Sequence, residues 1–210
     1  MITLYDCATA PSPRRARILL AEKGIAHETV EIDLRSAQQL SDSFRAINPR
    51  LTVPALQLED GHVLTDNAGI AAWAEAYKPE PPMLGRTPLE KAEVASWNSR
   101  IEGEGFMAIA EAFRNSTPAM KDRALPGPNN YAQIPELAER GVARLTAFID
   151  VLDAQLASNS HVAGADFSLA DITAIVAIDF ARIVRMKPTE THANIARWRA
   201  QVGERPACQL

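Results

Sequence analysis

The sequence predicts a small α/β domain followed by an all-helical domain. Strand and helix patterns alternate through residues 1–78, the segment Lys78-Pro79-Glu80-Pro81-Pro82 then breaks the chain, and no convincing strand pattern returns after it. Prolines at this density cannot continue a helix and favour a stiff extended linker. A chain of 210 residues exceeds a typical single domain, so one small and one medium unit is the natural division: 1–78, a linker at 79–86, and 87–210.

In the first unit, Ile2 to Tyr5 reads as a short strand, and Pro13 to Lys23 as a helix that places Ala16, Leu19 and Leu20 on one face and stops at Gly24. Thr29 to Leu34 alternates Val30, Ile32 and Leu34 with Glu31 and Asp33, the pattern of a half-buried strand. Ser41 to Ile47 is a weaker helix ended by Asn48-Pro49, because the residue before proline is pushed out of the helical region. Leu56 to Leu58 and Val63 to Thr65 flank the turn Glu59-Asp60-Gly61-His62, and Asn67 to Tyr77 closes the unit as a helix. A right-handed βαβ crossover followed by an antiparallel hairpin is the element order of a thioredoxin-like domain.

Beyond the linker, Leu89 to Arg114 is one long helical pattern carrying Trp97, Ile101, Phe106, Ile109 and Phe113, with Gly103 and Gly105 weakening its middle. Asn115 to Pro135, rich in proline, reads as a connector. Glu136 to Ala157, Ser168 to Met186 and Ala193 to Val202 complete a helical bundle, and the nearly continuous apolar run of the second of these marks a central helix.

Composition narrows the function. Hydrophobic residues make up 47% and charged residues 23%, the balance of an ordinary globular protein. A net charge of −4 gives no electrostatic reason to expect nucleic acid or an anionic membrane as partner. Cys7 and Cys208 make no disulfide framework, and the scattered histidines give no metal-binding spacing, so no metal is expected. No run approaches the roughly 18 apolar residues of a membrane span, and the expected location is the cytoplasm.

Ser12-Pro13 pairs a favoured N-cap with a favoured first-turn proline, which by itself is only a helix start. Arg14, Arg15 and Arg17 follow, and positive charge in a first turn opposes the helix dipole at about 0.3–1 kcal/mol per charge. That cost is offset if an anion sits at the helix terminus, held by backbone N–H groups and a hydroxyl. A thiolate is such an anion: lowering a thiol pKa by roughly two units requires about 2.7 kcal/mol, within reach of one charge-assisted hydrogen bond plus the helix terminus. Ala10 stands where a second redox cysteine would follow Cys7, so the thiol belongs to a ligand. Val53-Pro54 before a short strand is a candidate cis peptide, and Asp66-Asn67 caps the next helix. Ser168-Leu169-Ala170-Asp171 is a capping box with a structural role, Phe167 acting as its staple.

Taken together, Leu4-Tyr5-Asp6, Arg17 to Lys23-Gly24, Asn48-Pro49, Val53-Pro54, Asp66-Asn67 and Gly164 to Asp171 resemble the glutathione transferases along essentially the whole chain, in a bacterial-type, serine- or cysteine-like group. The resemblance implies a cytosolic homodimer with glutathione as cosubstrate and an electrophile pocket between the domains. It implies that Ser12 is catalytic and that Ser12, Thr52, Val53, Pro54, Asp66 and Asn67 bind glutathione, with Val53 pairing strand to strand with the cysteinyl part beside a cis Pro54. Phe106, Met107, Phe113 and Tyr131 are the expected electrophile contacts, and exposed-looking apolar residues around Trp97 and Ile101 add to the expectation of a dimer.

Two departures from the family pattern bear on the chemistry. Asn67 replaces the usual serine, and Thr9 or Ala10 stands where serine-type members carry their hydroxyl, which leaves Thr9, Cys7 and backbone donors as alternatives to Ser12. The functional alternatives are a non-catalytic binding or regulatory module, and a specialised glutathione-dependent isomerase, dehalogenase, etherase or peroxidase.

Overall fold

The computed structural model describes residues 1–210 and divides into two compact units: Met1–Pro81 with Pro126–Asn129 and Leu210, and Pro82–Leu125 with Asn130–Gln209. The first contains β1 (Thr3–Asp6), α1 (Pro11–Glu22), β2 (Glu28–Glu31), α2 (Asp42–Ile47), β3 (Ala55–Gln57), β4 (Val63–Leu64) and α3 (Asn67–Tyr77). Its sheet runs β2-β1-β3-β4, with β1 parallel to β2 and antiparallel to β3, the mixed four-stranded arrangement of a thioredoxin-like domain. Leu4 pairs with Thr29 on one side and Leu56 on the other. Leu4, Leu56, Ile18, Leu20, Ile70 and Ala74 are fully buried, so β1 and β3 carry the core between α1 and α3.

Two helix and strand ends differ from expectation. β2 is exposed along its length, Val30 included at 40%, because it is an edge strand paired only with β1; Ile32, just beyond it, reaches the core and donates its N–H to Asp6 O at 2.7 Å. α1 begins at Pro11 rather than Pro13, with Ala10 as N-cap and no side chain capping it, because Pro11 already supplies the helical φ. Ser12 therefore occupies the second helical position and is not a cap.

Lys23, at the other end of α1 from the arginines, is 1% exposed. Its Nζ lies 2.6 Å from a Glu75 carboxylate oxygen and donates to Lys78 O and Pro81 O at 2.8 and 2.7 Å. A buried ammonium persists only when so partnered, and here it ties the end of α1 to the segment after α3.

The second unit contains α4 (Pro88–Arg100), a π-helical segment (Ile101–Phe106), α5 (Met107–Ser116), α6 (Pro135–Leu156), α7 (Leu169–Phe180) and α8 (Ala193–Gly203). The glycines expected to weaken the long helix fall in the π turn, where Gly105 lets Phe148 approach within 2.9 Å of the place a Cβ would occupy. α7 is buried from Leu169 through Ile178 and forms the centre of the unit. The connector after α5 is ordered by Arg114, whose guanidinium donates to Arg123 O at 2.6 Å, and by Gln133, which donates to Arg114 O at 2.7 Å. Trp97 and Ile101, which the sequence suggests are exposed, are 7% and 0% exposed and belong to the core of their own chain. No helix is long and apolar enough to cross a membrane.

Candidate active site

The start of α1 concentrates donors on one residue. Pro11 and Pro13 carry no N–H, and the Arg14 N–H turns back to Ala10 O at 3.4 Å, so Ser12 supplies the only first-turn amide without an acceptor inside the chain. The Ser12 hydroxyl lies 3.3 Å from an Arg15 guanidinium nitrogen and 3.0 Å from the Asn67 amide nitrogen. Both neighbours are donors, so Oγ accepts twice and keeps its own hydrogen to give. No acidic side chain occupies this first turn to neutralise the helix terminus.

The loop leading into α1 is fixed from beneath. Arg17 donates to Asp6 Oδ1 at 2.6 Å and to Ala8 O at 3.1 Å, and the Glu31 carboxylate receives the Ala8 N–H at 3.0 Å. Of the alternative donors, Cys7 is 4% exposed with its Sγ 3.6 Å from Thr9 Oγ1, whereas Thr9 is exposed.

The approach to β3 is shaped by Asn48, fully buried, whose amide donates to Thr52 O at 2.7 Å while its Oδ1 receives the Arg50 N–H at 2.9 Å. Leu51 adopts a φ of 55°, and the Val53-Pro54 peptide is cis. No hydrogen bond within the chain uses the Val53 N–H or C=O, so that peptide edge is open to an extended ligand. At the start of α3, Asp66 caps the helix through Gly69 N–H at 2.8 Å, and Asn67 donates to both the backbone oxygen and the hydroxyl of Ser12.

Residues 9–76 match the model of the glutathione S-transferase N-terminal domain, and residues 112–206 match that of the C-terminal domain. Glutathione S-transferase 2 of Saccharomyces cerevisiae is 31% identical over 97% of this chain and 86% of its own. This chain belongs to the glutathione S-transferase family. The crystal structure of Gtt2 from Saccharomyces cerevisiae superposes with a TM-score of 0.89 at 30% identity, covering 99% of this chain and 98% of the other. A glutathione S-transferase domain-containing protein of Marinobacter aquaeolei superposes equally, 0.89 at 29% identity over 98% and 99%.

The four residues expected to contact an electrophile fall into separate groups. Met107 and Tyr131, both 46% exposed, line a cavity of about 360 Å³ with Leu125, Ile134 and Leu137. Phe113 lines a different depression with Val142 and Ile183, and both Phe106 and Phe113 pack on Phe180 with ring centroids 6.5 and 6.4 Å apart. Phe106 ends the π turn, Met107 and Phe113 lie on α5, and Tyr131 lies in the connector after it.

Asp171 has the structural role its capping box implies. Its carboxylate receives N–H groups from Val162, Ser168 and Trp198 at 2.9, 3.0 and 2.8 Å. Burial pushes its carboxyl above the ordinary value, with those donors and His161 pulling the other way. Reading the sequence did not reveal the contacts of Arg15 and Asn67 with Ser12. The second spans 55 residues and has no local signature.

Proposed function

We propose that this family member is an active glutathione transferase that binds glutathione, holds its thiol as a thiolate at Ser12, and conjugates it to a small hydrophobic electrophile. The observation that carries the reading is the Ser12 hydroxyl: two donors occupy its oxygen, so its hydrogen and the adjacent unused N–H remain to meet an anion. A charge-assisted hydrogen bond of about 1.5–3 kcal/mol lowers a thiol pKa by roughly one to two units.

In this mechanism the thiol proton leaves to solvent on binding, the sulfur lone pair forms a C–S bond to the electrophilic carbon, and the leaving group departs with its bonding electrons. The Val53 peptide edge beside cis Pro54 pairs with the cysteinyl portion of glutathione, with Thr52 preceding it. The free oxygen of the Asp66 carboxylate suits the γ-glutamyl ammonium, and Asn67 lies next to it. Met107 and Tyr131, exposed beside one cavity of the second unit, and Phe106 and Phe113, which pack on Phe180, are the proposed apolar contacts for the electrophile. The same reading makes the protein a cytoplasmic homodimer, for which light scattering returns twice the 22.9 kDa chain mass.

Calorimetry of glutathione binding, followed by mass spectrometry of products with a chloronitroarene, tests this reading. Binding with formation of the S-aryl conjugate supports it. Absence of binding removes it, and binding with neither conjugation of any of a panel of haloarenes, epoxides and aryl ethers nor oxidation of glutathione to its disulfide by a peroxide replaces it with the non-catalytic module.

A further inference from the structure

We propose that Asn67 is a positioning residue for Ser12: its side-chain amide fixes the hydroxyl rotor so that the one hydrogen Ser12 can donate points toward a bound thiolate. This rests on the reading of Ser12 as the thiolate donor.

The geometry leaves little choice in how these atoms are used. The Asn67 amide atom that lies 3.1 Å from Ser12 O also lies 3.0 Å from Ser12 Oγ. A carbonyl oxygen only accepts, so the group facing it is the NH2; turning the amide over would set oxygen against oxygen. One N–H then goes to the backbone of Ser12 and the other to its hydroxyl. Arg15, 3.3 Å from the same Oγ, has no acceptor atom and must also donate. With both lone pairs of the hydroxyl occupied, the O–H takes the remaining tetrahedral direction.

Asn67 is suited to this because it is placed by a helix rather than a loop. It is the first residue of α3, and Asp66 immediately before it is locked by its bond to Gly69 N–H. The contact joins two helix starts 55 residues apart, so the rotor of Ser12 is set by the packing of α1 and α3 rather than by local sequence. A serine at this position would have a single hydrogen and could not satisfy both oxygens of Ser12. The chain's departure from the family's usual residue is therefore accounted for by a task at Ser12.

The test follows glutathione thiolate absorbance against pH for the full-length wild type, Ser12→Ala, Asn67→Ala, Asn67→Asp and the double variant Ser12→Ala/Asn67→Ala. The inference expects Asn67→Ala to raise the bound thiol pKa by about one unit and the double variant to match Ser12→Ala alone, because Asn67 acts only through the hydroxyl. Asn67→Asp keeps the side-chain size and adds a negative charge that a helix start favours, against the oxygen it sets facing Ser12 O, and its unfolding midpoint is measured beside that of the wild type. Its carboxylate draws the Ser12 hydrogen to itself and adds a like charge beside the thiolate, so the thiol pKa rises at least as far as in Ser12→Ala. A wild-type pKa in Asn67→Ala and Asn67→Asp, or increments that add in the double variant, overturns the inference while leaving Ser12 in place. An unshifted pKa in Ser12→Ala overturns the Ser12 reading and the inference with it.

Discussion

Two serines begin helices in this protein, and their surroundings are opposites. Ser168, at the start of α7, is 3% exposed; its hydroxyl accepts from Ala170 N–H and donates to the Asp171 carboxylate, both at 3.3 Å. That carboxylate also takes the Val162, Ser168 and Trp198 N–H groups, and Asp171 is fully buried. Ser12, at the start of α1, is only half-buried, accepts from Arg15 and Asn67, and gives its hydrogen to nothing in the chain. A network in which each donor meets an acceptor holds a fold together; one with a donor left over is built to complete itself on a ligand.

The comparison predicts where stability and chemistry separate. The largest effect falls on Asp171→Ala, which strips acceptors from three buried N–H groups; we expect a loss of about 3 kcal/mol or more in urea unfolding. A loss under about 1 kcal/mol would break the comparison, since it would make the closed network energetically empty. Ser168→Ala should cost about 1 kcal/mol, the usual value of an N-cap.

A surface network sharpens the scale further. Glu111 receives Arg140 and Arg144, each at 2.9 Å; burial pushes its carboxyl up, but the two guanidinium hydrogen bonds and charges outweigh this and leave it below its ordinary value. A depressed carboxyl adds stability above its unfolded pKa and loses it as pH falls through the folded one. Glu111→Gln should therefore destabilise by under about 1 kcal/mol near neutral pH, because both arginines keep part of their surface in water, and the difference should vanish at acid pH. Ser12→Ala should change stability least of all, within about 0.5 kcal/mol, since Ser12 caps nothing and Ala is a good helix former.

Much of this contrast was legible from local sequence, but unevenly. The capping box at Ser168 and the cap at Asp66 are short-range patterns, and the structure bears both out. The element order of the first unit and the burial of α7 follow from hydrophobic periodicity, which reports packing faces directly. The start of α1 was misplaced because two prolines two residues apart both suit a first turn, and the choice between them falls to neighbouring backbone bonds such as Ala10 N–H to Cys7 O. Trp97 and Ile101 looked available because a single amphipathic helix cannot say which neighbour covers it. The Asn67 contact with Ser12 was invisible for the same reason: it exists only after α1 and α3 pack.

The central claim is that the spare hydrogen of Ser12 stabilises a thiolate, and a pH titration of glutathione bound to the wild type and to Ser12→Ala, read by thiolate absorbance, tests it most directly. The account predicts a thiol pKa below that of free glutathione in the wild type and a return of about one to two units in Ser12→Ala, with unfolding midpoints nearly unchanged. A bound thiol that titrates like free glutathione, or a lowered pKa that Ser12→Ala leaves in place, would contradict it.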